Sequence, residues 1–310
     1  MIKLSFVIPC YGSEKTISQV IDGIIATVGD RNSYEIICVN DCSPDCVYSV
    51  LENLAKSNKN LKVVNLARNF GQHNALMAGF RHVTGDIIVC LDDDGQTDPK
   101  DCYKLIDALD ENADIVYAKY PSKKENLFRL FGSWTATKMG QWLCSIPKDV
   151  TLNSYYVCKR FVVDEMVRYE NAFPYLAGLQ VRATRKLKNV EIEHHERASG
   201  HSGYTLKKLL SLWLNGFTAF SVKPLRIATV AGGFTALLGF LYALYIMVKK
   251  IMNPAIQMGY SSMMCVLLFI GGMIMLMLGL IGEYIGRIYI CLNKAPQYVI
   301  RNTVNIENEK

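Results

Sequence analysis

Charge is scarce in this chain: 20% of its 310 residues are Asp, Glu, Lys or Arg, against 50% hydrophobic. That balance excludes a disordered tail, a collagen-like chain and a highly charged coiled coil. Two nucleotide signatures are missing as well. No Gly-x-Gly-x-x-Gly follows the first strand-like segment and no Gly-x-x-x-x-Gly-Lys-Ser/Thr occurs, so the dinucleotide and P-loop readings lose their main support. Ahead of residue 205 there is no stripe of basic and aromatic residues, which argues against nucleic acid as a partner. The opening residues carry no basic start leading into a long apolar core. No secretory signal is expected there, and the first domain is expected to stay where it is made.

The charges that are present avoid two stretches, Ile227 to Val248 and Ala255 to Gly282. Each exceeds the about 20 residues that a helix rising ~1.5 Å per residue needs to cross ~30 Å of hydrocarbon. Two membrane spans joined by a short turn at Asn253 and Pro254 are expected. Lys207, Lys208, Lys223 and Arg226 precede the first, Arg287, Lys294 and Arg301 follow the second, and only Lys249 and Lys250 lie between. That asymmetry puts both ends in the cytoplasm, and the net charge of +6 reads as attraction to anionic headgroups. Tyr204 to Phe220 combines Leu206, Leu209, Leu210, Leu212, Trp213, Leu214, Phe217 and Phe220 with Lys207 and Lys208, as expected of a helix lying in the membrane interface. For Leu127 to Ile146, core packing and membrane contact fit equally. The expected division is a cytoplasmic domain over 1–203, an amphipathic helix over 204–224, a two-helix anchor over 225–291 and a cytoplasmic tail over 292–310.

Ten cysteines in a reducing compartment are expected to be free thiols. Cys38, Cys42 and Cys46 recur every four residues but cross a strand end and a turn, which disfavours a zinc site. His194 and His195 have no partner at metal-ligand spacing and are expected to end a strand.

Within the first domain, strand-like and helix-like segments alternate. Leu4 to Pro9, Glu35 to Asn40, Leu61 to Leu66, Asp86 to Leu91 and Asp114 to Ala118 read as strands. Ile17 to Val28, Val47 to Lys56, His73 to His82 and about Pro99 to Leu109 read as helices. Such alternation specifies an open α/β fold, a mostly parallel sheet flanked by helices. Ligands on such sheets bind beyond the carboxyl ends of the strands. The segments there are Pro9-Cys-Tyr11, Asn40 to Asp45, Arg68 to Gly71 and Asp92 to Gln96.

Asp92, Asp93 and Asp94 are three successive carboxylates that repel one another unless cations compensate, and alternation directs the first and third to one side. Mg2+ or Mn2+ suits such oxygen ligands and keeps places for substrate phosphates. A solvated acidic turn explains the cluster alone equally well. Asp41 at a neighbouring strand end, able to accept from a base or ribose, and a pocket wall at Pro9 to Tyr11 shift the balance towards a nucleoside diphosphate.

With these residues in place, the sequence resembles the inverting, GT-A-fold members of glycosyltransferase family two, and within them the polyprenyl-phosphate glycosyltransferases. Among these it resembles in particular the bacterial undecaprenyl-phosphate 4-deoxy-4-formamido-L-arabinose transferases. Five segments carry the likeness in order: Val7-Ile-Pro-Cys-Tyr11, Arg68-Asn-Phe-Gly-Gln-His-Asn-Ala-Leu-Met-Ala-Gly-Phe80, Asp92 to Gln96, His195-Glu-Arg-Ala-Ser-Gly-His-Ser-Gly-Tyr204 and Gly282-Glu-Tyr-Ile-Gly-Arg-Ile-Tyr289. The resemblance implies that Pro9, Tyr11, Asp41, Arg68, Gly71 and Asp93 border the nucleotide. It implies that Asp92 and Asp94 bind a Mg2+ or Mn2+ ion and that Gln96 faces the donor sugar or the reaction centre. Arg197, Ser199, Ser202 and Tyr204 match the loop that closes over the diphosphate in the family. Arg129, Ser133 and Lys138 fall where relatives hold the lipid phosphate. Three departures stand out: Gly12-Ser13 in place of a common Asn-Glu, Asn40-Asp41-Cys42 in place of Asp-Asp-Gly, and no aspartate in Asn153-Ser154-Tyr155-Tyr156.

The implied reaction is inverting transfer from a nucleoside diphosphate sugar, with uridine favoured, to polyprenyl phosphate at the inner face of the cell membrane, by a dimer or tetramer. A lipid monophosphate is already an anion, so no general base is strictly required. Two rivals remain. A processive polysaccharide synthase lacks support, because no Gln-x-x-Arg-Trp occurs. A catalytically silent, nucleotide-binding membrane adaptor is permitted by the missing aspartate and disfavoured by Asp92, Asp94 and Arg197.

Overall fold

A computed structural model of the chain describes residues 2–29, 31–120, 147, 149–192, 223–252 and 259–306. Two compact units result, one from 1–213 together with 294–310 and the other from 214–293. The first is therefore discontinuous in sequence.

Its strands and helices begin as the alternation predicts. β1 (Lys3–Cys10), α1 (Ile17–Val28), β2 (Ser33–Asn40), α2 (Val47–Ser57), β3 (Leu61–Leu66), α3 (Gln72–Phe80) and β4 (Ile87–Cys90) follow in turn. β1 is buried from Leu4 to Cys10, the continuous apolar run of a strand covered on both faces. The buried positions of α1, Ile17, Val20, Ile21, Ile24 and Val28, recur at three- and four-residue spacing and give one apolar face. On the other face α3 lies close to the sheet at Gly79, where a Cβ would stand 2.7 Å from Val7 and 3.0 Å from Val39.

Beyond β4 the reading needs correction. The helix expected over Pro99 to Leu109 is a 3-10 turn at Pro99–Asp101 followed by the short α4 (Cys102–Ile106). Proline at the start of the turn and an Asp98 cap fix where it begins. After β5 (Ile115–Lys119) come three elements with no counterpart in the expectation, β6 (Tyr156–Lys159), α5 (Arg160–Met166) and α6 (Leu176–Ala183), and then β7 (Leu187–Glu191), a strand just ahead of the pair His194 and His195 expected to end one. The segment read as a tail supplies β8 (Ile300–Val304), an edge strand.

The sheet order is β7-β5-β6-β4-β1-β2-β3-β8. The central pairings β3-β2-β1-β4 are parallel, as is β5-β7, whereas β4-β6, β5-β6 and β3-β8 are antiparallel. The sheet is thus mixed. Because β6 runs against β4, with Cys90 opposite Tyr156, the residues entering β6 share an edge with those leaving β4.

In the second unit the described helices are α7 (Lys223–Met252) and α8 (Tyr260–Leu292). One stretch among the described residues, Phe269–Leu292, is long and apolar enough to cross a membrane, and the apolar part of α7, Ala228–Tyr242, is shorter. Large apolar side chains such as Phe234, Phe240, Leu276 and Ile285 are exposed. A Cβ at Gly232, Gly239, Gly272 or Gly279 would meet nothing within 4 Å, so these glycines serve no close approach between the two described helices.

Candidate active site

The four parallel strands release their loops on one edge, and hydrogen bonds stitch those loops together. After β1, the exposed ring of Tyr11 (55% accessible) stands beside a backbone N–H that donates to Asp93 Oδ2 at 2.9 Å. Gly12, at φ 75°, donates its N–H to Ser43 Oγ at 2.8 Å, and that hydroxyl donates to Asp45 Oδ1 at 2.6 Å. Gly12 thus belongs to a tight turn tied to the β2 loop. Pro9 itself is buried within β1. Val7 C=O accepts from Leu91 N at the end of β4, so the absent N–H of Pro9 falls where that ladder has stopped.

Asp41, 3% exposed, accepts from Phe70 N at 2.7 Å and from Gly71 N at 2.8 Å. Burial raises its pKa and the two amides lower it, with burial prevailing. Its carboxylate thereby fixes the start of α3, where Gly71 takes φ 88°, a conformation glycine adopts at little cost. The base or ribose contact expected of Asp41 competes with these two amides. In the same loop the exposed Arg68 guanidinium lies 4.6 Å from the Phe70 ring centre.

The carboxylates of the β4 loop play three different parts. Asp92 accepts from Gln72 Nε2 at 2.9 Å through Oδ1 and from the Ser154 hydroxyl through Oδ2. Asp93 is turned inward: it accepts from Tyr11, its carbonyl accepts from Thr16 Oγ1 at 2.6 Å, and burial pushes its carboxyl up to about 6. Asp94 Oδ1 accepts from Gln96 N at 3.0 Å across Gly95, which has φ 71°. Among the described residues no three His, Cys, Asp or Glu side chains converge as a metal cage. The donor set at Asp92 and Asp94 is hard carboxylate oxygen, which suits Mg2+ or Mn2+ completed by phosphate oxygens and water.

Tyr11, Asp41, Arg68, Gly71, Asp92, Asp93, Asp94 and Gln96 therefore occupy one edge. The other proposed residues, Arg129, Ser133, Lys138, Arg197, Ser199, Ser202 and Tyr204, lie outside the described residues, as do His194, His195 and most of the interfacial helix. Sequence reasoning missed Gln72 and Ser154. Gln72 sits inside the Arg68 to Phe80 motif. Ser154 stands in the segment singled out for lacking an aspartate, and it donates to the carboxylate across the edge instead. The described cysteines are free thiols, with Cys10, Cys38, Cys90, Cys102 and Cys158 buried.

Comparison with known proteins accounts for this arrangement. Residues 5–161 match the family model Glycosyl transferase family 2, and residues 223–288 match the GtrB C-terminal hairpin. The chain is 31% identical over 314 residues to an undecaprenyl-phosphate 4-deoxy-4-formamido-L-arabinose transferase of Proteus mirabilis, covering 98% of this chain and 95% of that one. It is 32% identical over 313 residues to an uncharacterized glycosyltransferase of Bacillus subtilis, covering 100% and 96%. Among solved structures, glucosyl-3-phosphoglycerate synthase from Mycobacterium tuberculosis, in complex with Mn2+, UDP-glucose and phosphoglyceric acid, superposes with a TM-score of 0.52. That match covers 70% of this chain and 78% of that one at 19% identity, and it is a likeness of fold alone. On a GT-A-like α/β scaffold with a mixed sheet, and with family matches running through both units, the chain is a glycosyltransferase belonging to glycosyl transferase family 2.

Proposed function

We propose that this enzyme transfers a sugar from a uridine diphosphate sugar to undecaprenyl or a related polyprenyl phosphate, with inversion, at the cytoplasmic face of the cell membrane. One observation carries the reading. The Tyr11, Asp41, Arg68 and Asp92 loops are hydrogen-bonded into a single oxygen-rich edge, in a chain similar along 98% of its length to a transferase named for undecaprenyl phosphate.

In this mechanism the Tyr11 ring packs against the base, and the Asp41-held loop presents Arg68 towards the diphosphate. Asp92 and Asp94 hold a divalent cation, Mg2+ or Mn2+, which when bound neutralises charge developing on the leaving diphosphate. Gln72 and Ser154 keep the Asp92 carboxylate oriented before the donor arrives. Gln96 faces the donor sugar, Arg197 with Ser199, Ser202 and Tyr204 closes over the diphosphate, and Arg129, Ser133 and Lys138 receive the acceptor phosphate. An acceptor phosphate oxygen forms its bond to the anomeric carbon as the bond to the β-phosphate oxygen breaks, and the electron pair leaves with the nucleotide. Since the acceptor is already ionised, the absence of an aspartate at 153–156 removes nothing essential.

The acceptor stays in the bilayer, because burial of each CH2 is worth roughly 0.8 kcal/mol. Two spans within 225–291, an interfacial helix over 204–224 and assembly as a dimer or tetramer belong to the same reading. The test uses purified full-length protein with undecaprenyl phosphate, Mn2+ and a panel of UDP-sugars. One lipid-linked monosaccharide is expected, and Asp94→Ala is expected to slow its formation by about 100-fold or more. Full activity in that variant would overturn the metal assignment, and a product that lengthens with time would instead identify a processive synthase.

A further inference from the structure

We propose that the carboxy-terminal strand β8 positions the donor loop through a relay of three asparagines, which makes Asn302 a positioning residue for nucleotide binding. The nucleotide part of this inference rests on the donor reading above; the relay itself does not.

Three adjacent strands align the amides. Asn40 at the end of β2 is opposite Asn65 in β3, and Asn65 is opposite Asn302 in β8. Asn40 Nδ2 donates to Asn65 Oδ1 at 2.8 Å, and Asn65 Nδ2 donates to Asn302 Oδ1 at 2.8 Å. Asn302 Nδ2 in turn donates to the Tyr48 hydroxyl. At the other end, Asn40 Oδ1 accepts from Ser43 N at 3.2 Å. Ser43 is the residue whose hydroxyl accepts from Gly12 N, and Asp41, between Asn40 and Ser43, grips Phe70 and Gly71.

Asn40 and Asn65 are buried, 4% and 7% exposed, and a buried amide left without an acceptor turns to seek another. The aligned donors also polarise one another, so loss of the last acceptor is felt along the row. Attachment of the tail does not require the relay. Asn305 Nδ2 donates to the carbonyls of Ala55, Asn58 and Leu61, Gln297 Nε2 donates to those of Tyr169 and Asn171, and Ala67 N donates to Val299 O. What the relay adds is a link from a strand beyond the apolar hairpin in the chain to the loop that carries Asp41.

The experiment measures UDP affinity by calorimetry in the presence of Mn2+, and amide hydrogen exchange without nucleotide, on full-length protein in detergent. Asn302→Leu is expected to raise the UDP Kd about three- to tenfold, the worth of one hydrogen bond, and to speed exchange over 41–45. Asn302→Asp keeps an acceptor for Asn65 and can accept from Tyr48, so it is expected to restore both readouts. Asn305→Ala is expected to melt at lower temperature yet bind UDP as the native protein does. Native Kd and native loop exchange in Asn302→Leu would overturn the relay, as would an equal loss of UDP affinity in Asn305→Ala. If the native protein bound no UDP while loop exchange still answered to Asn302→Leu and Asn302→Asp, the donor reading would fall and the relay would stand.

Discussion

The middle of the sheet and its β8 edge are held by different forces. β1 and β2 are buried on both faces, with Leu4, Phe6, Ile8, Ile36 and Cys38 in the core on one and Val7, Ile37 and Val39 against α3 on the other. β8, written Ile-Arg-Asn-Thr-Val, is half exposed along its length and is fastened by Asn302, Asn305 and Gln297 through amide hydrogen bonds. A net hydrogen bond contributes about 1 kcal/mol, whereas a fully buried aliphatic side chain contributes about 1.5–3 kcal/mol. The centre should therefore govern whether the catalytic unit folds, and the edge should govern finer adjustments.

The sharpest challenge to that contrast is Gly79→Val. Even a Cβ there would stand 2.7 Å from the Val7 side chain, and branched neighbours on two paired strands have little room to yield. A loss of about 3 kcal/mol or more is expected, read as a large drop in melting temperature by circular dichroism. A small drop would mean that α3 lifts off the sheet easily and that the centre is less tightly packed than its burial implies.

Glu35 tests the ground between. This buried carboxylate accepts from Ser5, Thr84 and Lys62, the last at 2.7 Å. Burial alone would raise its pKa, but these partners outweigh burial and hold it at about 2. A carboxyl whose folded pKa is depressed stabilises the fold in full above its ordinary value near 4.5, and that contribution fades as pH falls from there to about 2. The shift corresponds to about 3 kcal/mol. Glu35→Gln should thus be clearly less stable than the native protein at pH 7, and the difference should close towards pH 2 in a series of thermal melts. A difference independent of pH would assign the role to shape and not to charge.

The smallest effect is expected at the edge. Asn305→Ala removes the two amide hydrogens shared among three carbonyls at a residue with φ 57° and should cost about 1–2 kcal/mol, seen as a small shift in the same melt. A collapse as deep as that of Gly79→Val would make β8 an equal partner of the core.

How far the sequence could be read follows the same division. The ends of α1 and β3 coincide with the apolar patterns at Ile17 to Val28 and Leu61 to Leu66, because strands and helices buried in the centre must carry their periodicity themselves. β6 is four residues long, so it does not announce itself, and β7, Leu-Lys-Asn-Val-Glu, is half exposed, so only the histidine pair after it hinted at a strand. At the site, the order of loops was legible because each follows a parallel strand. The partners of Asp92 were not, since Ser154 reaches it only because β6 runs antiparallel beside β4. Likewise the two amides that occupy Asp41 depend on how the Arg68 to Gly71 loop folds back over β2.

Hydrophobic period and turn chemistry act over a few neighbours, and such local order was enough to specify the central α/β alternation, the two apolar stretches and the placing of three aspartates just past a buried strand. That residues 300–304 complete the sheet, that Ser154 and Gln72 steady Asp92 and that Asn302 meets Asn65 across 237 positions followed from long-range packing. A half-exposed strand has no strong preference of its own. Where it pairs depends on which distant backbone edge still has free donors and acceptors to offer.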